Sequence, residues 1–142
     1  MIKFLDKKIA RLNYDHGKLK QLCRAYRIYL VIFHGSQVNG NVNKESDIDV
    51  GILGDKPFIQ KHFSDIVGKF SEIFNGKCDL VILNKAESLI AYQVAVKGIP
   101  LYEVNKGIFA EFQTMSISRY QDAVKFRRLE KQYLKTAIQR MK

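Results

Sequence analysis

Tyr29-Leu30-Val31-Ile32-Phe33 runs into His34-Gly35-Ser36, ten residues holding Gly40 and three Asn follow, and the chain resumes with Asp47-Ile48-Asp49-Val50-Gly51-Ile52-Leu53. The first run is continuously apolar, β-branched and aromatic, which predicts a central strand buried on both faces. The polar stretch 37–46 reads as a loop. The first half of the second run alternates polar and apolar residues with period two, the pattern of a second strand.

Working outward from this pair, Leu19, Leu22, Cys23 and Tyr26 fall at i, i+3, i+4 and i+7, so Lys18 to Ile28 reads as an amphipathic helix. Downstream, Asp55-Lys56-Pro57 opens a helix that Phe58, Ile59, Phe63, Ile66, Val67, Phe70, Ile73 and Phe74 continue until Asn75-Gly76 stops it. The helical spacing makes these phenylalanines core, not a platform for stacking bases. Cys78 to Leu83 reads as a third strand. Asn84 with Glu87 resembles a capping box for a helix to Lys97, which Gly98 and Pro100 end. Leu101-Tyr102-Glu103 reads as a short edge strand, and Ile108 to Arg140, free of Gly and Pro, as mostly helix. The order predicts an α/β (α+β) fold: a small mixed β-sheet with packed helices. A single domain is expected over 1–142, with a core at about 18–103 and a C-terminal helical segment at about 106–140.

No apolar run approaches the ~20 residues that span a bilayer. The opening Met1-Ile2-Lys3-Phe4-Leu5-Asp6 carries charge where a signal peptide needs an unbroken apolar segment, so a cytoplasmic protein is expected, with no membrane partner. Cys23 and Cys78 sit in separate apolar segments without metal-ligand spacing and read as reduced core thiols. The net charge of +10 invites nucleic acid until it is divided: residues 1–28 and 119–142 each carry +6, and the 90 residues between them sum to −2. The acidic middle makes nucleic acid an unlikely direct partner.

Alternation on a strand brings Asp47 and Asp49 to one face. Two like charges side by side call for a cation, and hard oxygen ligands suit Mg²⁺, which completes its shell with water and substrate phosphates. Asp79 opens the third predicted strand, and adjacency to the first pair would make three carboxylates. At Gly35-Ser36 the backbone is free to approach a phosphate and a hydroxyl is available to donate to it. Metal plus nucleoside triphosphate is the chemistry of phosphoryl or nucleotidyl transfer. Plainer readings stand beside these: a solvated strand face for Asp47 and Asp49, a turn cap for Asp79, a turn residue for Ser36. His34 reads as a structural histidine.

Gly35-Ser36, ten residues, then Asp47-Ile48-Asp49 resembles the G-S-x10-D-x-D signature of the minimal nucleotidyltransferases in the polymerase-β-like superfamily. Gly40 fits the glycine closing the turn after G-S, Asp79 the third carboxylate, and Gly98-Ile99-Pro100-Leu101-Tyr102 the edge after the family's helix. His34 and Gln37-Val38-Asn39 depart from the pattern. The stretch Arg119-Tyr120 to Tyr133-Leu134 is similar to the tail of members paired with HEPN-domain toxins, so the resemblance covers about residues 20–134.

The resemblance implies that Asp47, Asp49 and Asp79 bind Mg²⁺, that Asp79 helps activate the attacking hydroxyl, and that Gly35 and Ser36 hold the β- and γ-phosphates of ATP. It implies AMP transfer to a hydroxyl, a tyrosine, of a HEPN ribonuclease toxin with which the chain forms an oligomer as antitoxin. A non-catalytic antitoxin acting by occlusion is the alternative. The short chain, with one helical segment after Glu103, leaves little room for an acceptor domain and favours a macromolecular acceptor. Tyr120, Tyr133 and Arg127-Arg128 either face that partner or form a solvated basic helix.

Overall fold

A computed structural model describes residues 13–34 and 47–141. Asp15 caps the first helix, α1 (His16–Ala25), by accepting from the Lys18 amide at 3.2 Å, and α1 buries Leu19, Leu22 and Cys23. Arg27 takes a left-handed conformation (φ 56°) and turns the chain into β1 (Ile28–His34). β2 (Ile48–Gly54) returns antiparallel to β1. Two helices follow, α2 (Lys56–Lys61) and α3 (Phe63–Phe74), then β3 (Cys78–Ile82) parallel to β2. A 3₁₀ turn (Leu83–Lys85) leads to α4 (Ser88–Lys97), β4 (Ile99–Glu103) and the 34-residue α5 (Ile108–Met141). The strand order β3-β2-β1-β4 makes β1 central and β4 an edge, which is where Pro100 is tolerated.

Each face of the sheet buries its own cluster. Val31, Phe33, Val50 and Ile52 pack with Ile59, Ile66 and Phe70 under α1–α3. Leu30 and Ile32 pack with Leu83, Val94 and Phe112 under α4 and α5. Both cysteines are buried free thiols, with burial pushing Cys23 up to about 12 and Cys78 up to about 11. Among the described residues no helix is long and apolar enough to cross a membrane.

Three sequence expectations shift. The helix expected from Phe58 to Phe74 breaks at His62, yet Ile59, Ile66 and Phe70 all stay in the core, so hydrophobic spacing carries no trace of the break. Asn84 caps no helix. Its side chain bonds both backbone groups of Gly54, accepting from the amide at 3.2 Å and donating to the carbonyl at 2.9 Å, while α4 starts after Glu87 without a side-chain cap. Asp55 stands at the N-cap of α2 but spends its carboxylate on Arg27, 3.2 Å away, whose guanidinium also lies over the Phe58 ring.

Candidate active site

Period two along β1 puts Leu30, Ile32 and His34 on one face, and along β2 it puts Asp49, Gly51 and Leu53 there too. At Gly51 an added Cβ would stand 3.0 Å from Leu83, so the missing side chain lets the 3₁₀ turn close over this part of the sheet. One step nearer the strand ends, the same face becomes polar.

Asp49 is the hinge of that polar row. It pairs across the antiparallel ladder with His34 and across the parallel ladder with Asp79. Directly opposed residues share a face, and adjacent strands lie about 4.8 Å apart. Asp47 immediately precedes β2, with a carboxylate oxygen 3.9 Å from the Lys77 ammonium. Burial raises the Asp49 carboxyl, Asp79 and Asp47 raise it further, and His34 opposes them. Burial lowers the His34 imidazole against the pull of Asp49 and Asp79. The four groups therefore form one electrostatic unit.

Of the three carboxylates expected from the sequence, Asp49 and Asp79 come to one face, and Asp47, just before β2, lies within electrostatic reach of Asp49. Gly35, Ser36 and Gly40 lie outside the described residues. Among the described residues no three His, Cys, Asp or Glu side chains are gathered tightly enough to hold a metal ion as they stand, so the donors are aligned along the strand ends and not closed into a shell. Their chemistry nonetheless suits a hard divalent cation. All are oxygen donors, and the repulsion that lifts Asp49 is the repulsion such an ion relieves.

The residue that sequence reasoning undervalued is His34. Its Nε2 is buried with no hydrogen-bond partner among the described residues, and it stands opposite Asp49. Only the hairpin register reveals this, and a connection longer than a tight turn leaves register open.

Known proteins are similar to this chain in sequence and fold. The family model described as Polymerase beta, Nucleotidyltransferase matches residues 17–107. A protein adenylyltransferase, MntA of Aphanizomenon flos-aquae (strain 2012/KM1/D3), is 28% identical over 132 residues, covering 86% of this chain and 88% of the relative. Among solved structures, a toxin–antitoxin with AMP-PNP superposes with a TM-score of 0.65 at 23% identity, covering 84% of this chain and 98% of that one. A tri-AMPylated Shewanella oneidensis HEPN toxin in complex with MNT antitoxin gives 0.59 at 22%, covering 84% and 94%. With the family model spanning α1 to β4 and both strands that carry the carboxylates, the chain belongs to the polymerase-β nucleotidyltransferase family.

Proposed function

We propose that this protein is a Mg²⁺-dependent adenylyltransferase that moves AMP from ATP to a tyrosine hydroxyl of a HEPN ribonuclease toxin and thereby acts as its antitoxin. The observation that carries this reading is the register Asp49↔Asp79, with Asp47 close enough to raise the Asp49 carboxyl. The adenylyltransferase relative, aligned over 86% of this chain, supports the donor and the reaction type. The toxin complexes among the structural neighbours support the acceptor.

In this reading Asp47, Asp49 and Asp79 hold Mg²⁺, which when bound neutralises the triphosphate and the charge that builds on the leaving oxygen. Asp79, at the β3 edge of the row, accepts the proton of the incoming hydroxyl. The hydroxyl oxygen bonds to the α-phosphorus, the bond from that phosphorus to the β-phosphate oxygen breaks, and pyrophosphate leaves. Gly35 and Ser36 bind the β- and γ-phosphates. Burial disfavours the charged form of the His34 imidazole beside Asp49, and the Lys77 ammonium stands at the rim of the row.

The test is incubation with α-labelled ATP, Mg²⁺ and the protein encoded by the neighbouring reading frame. Label on the partner's tyrosine is expected, and its loss in Asp47→Ala and Asp49→Ala. Neutralisation of the toxin by Asp49→Ala, with no label transferred by the parent, would replace this reading with occlusion.

A further inference from the structure

α5 is two helices in one. Up to Val124 it packs on the body: Gln113 donates to the Ala95 carbonyl of α4 at 2.9 Å, the Tyr120 ring stacks on Tyr92 at 4.2 Å, and Phe112 and Ser116 are buried. From Lys125 to Met141 every residue except Ala137 is exposed. These residues extend about 25 Å at 1.5 Å per residue.

The projecting half is amphipathic although none of the described residues covers it. Phe126, Leu129, Tyr133 and Ala137 fall at i, i+3, i+7 and i+11, and Leu134 and Ile138 border that row. Phe126 is 68% exposed and Tyr133 74%. Each such ring offers about 150–250 Å² of contact, so with three aliphatic neighbours the stripe approaches the ~800 Å² that one side of a standard interface contributes. A monomer rarely leaves that much apolar surface contiguous and wet.

Charge selects the occupant. Residues 119–142 carry +6, and Arg128, Lys131 and Lys135 form the side opposite the stripe. Arg127 and Arg140 flank the stripe, so two copies laid stripe to stripe would bring like charge along the edges of the seam. A lipid surface would welcome the basic side, but Glu130 lies within the stripe, and a carboxylate pressed into the acyl boundary is costly. A folded protein with an apolar groove and an acidic rim satisfies all three features, because the rim pairs with the flanking arginines while the groove can hold a donor for Glu130.

We infer that the 126–138 face of α5 is the surface by which this protein grips its toxin, the helix lying in an acidic-rimmed apolar groove of that partner. This rests on the function proposed above, and it assigns holding the toxin to α5 and modifying it to the strand ends.

The experiment uses the full chain and the purified toxin. Phe126→Asp combined with Tyr133→Asp alters only exposed positions, so the melting temperature and the affinity for Mg-ATP should stay at parental values. Affinity for the toxin should fall at least ~30-fold, the scale of one interfacial hot spot. Arg128→Glu should instead slow association and flatten its salt dependence. Parental affinity in the double variant would overturn the inference while leaving label transfer, and so the function, intact. A parent that neither binds nor labels the toxin would overturn both. Light scattering showing a parental dimer that the double variant lacks would make a second copy the occupant. Flotation of the parent alone with phosphatidylcholine/phosphatidylglycerol vesicles would make it a lipid surface.

Discussion

The two faces of the sheet are built from the same strands and end differently. Under α1–α3 the apolar row runs the full length of β2, with Ile48, Val50 and Ile52 all buried. Under α4 and α5 it stops after Gly51, the last strand position on that face is Asp49, and Asp47 immediately precedes the strand. One face secures the fold to both ends of the strands. The other gives up its last turn of core so that carboxylates backed by packed strand stand at the rim. Alternation makes this division possible, because a single strand can serve core and chemistry without either intruding on the other.

That division can be attacked from each side. Phe70→Ala opens the closed face at a fully buried ring stacked on Phe74, and should cost about 3–5 kcal/mol in urea unfolding while leaving Mg-ATP affinity intact in the folded fraction. Asp49→Asn strikes the open face only. Label transfer should drop by about 10²–10³-fold or more, the scale of removing one preorganised charge-stabilising group, with the fold unchanged by circular dichroism.

Smaller effects sharpen the contrast. Asp79→Asn should raise the melting temperature of the metal-free protein, equivalent to a few tenths of a kcal/mol up to about 1, because it removes repulsion on Asp49, and saturating Mg-ATP should no longer add the stabilisation it gives the parent. The pH dependence has two parts. The lowered His34 binds fewer protons folded than unfolded, so stability falls as pH drops below about 6.5, and His34→Gln should flatten that loss in melts between pH 7 and 5. The raised Asp49 binds more protons folded than unfolded. Stability therefore falls as pH rises from about 3.8 through the folded value, a slope that Asp49→Asn should abolish.

Legibility followed the range of the interaction. Asp15 and α1, the αL stop at Asn75 and the strand positions of Asp49 and Asp79 could be read because each depends on neighbours a few residues away. His34 and Asn84 could not. The partner of His34 is set by a hairpin register across a dozen residues, and Asn84 bonds a backbone 30 positions upstream instead of the helix beside it. The break at His62 was hidden because the core side is the same before and after it.

The Asn84 amide has one more consequence. By giving and taking one hydrogen bond at Gly54, it does for the end of β2 what another strand's peptide unit would do. Gly54 itself has no room for a side chain against the Arg27 carbonyl and Ile28, so it is held on both sides. β2 is thus anchored at the end remote from its carboxylates, like a beam fixed in a wall. Asp49, five residues out along it, inherits that fixed origin, and lengthwise slippage that would misalign it with Asp79 is resisted at a point nearly 17 Å away, at about 3.3 Å per residue.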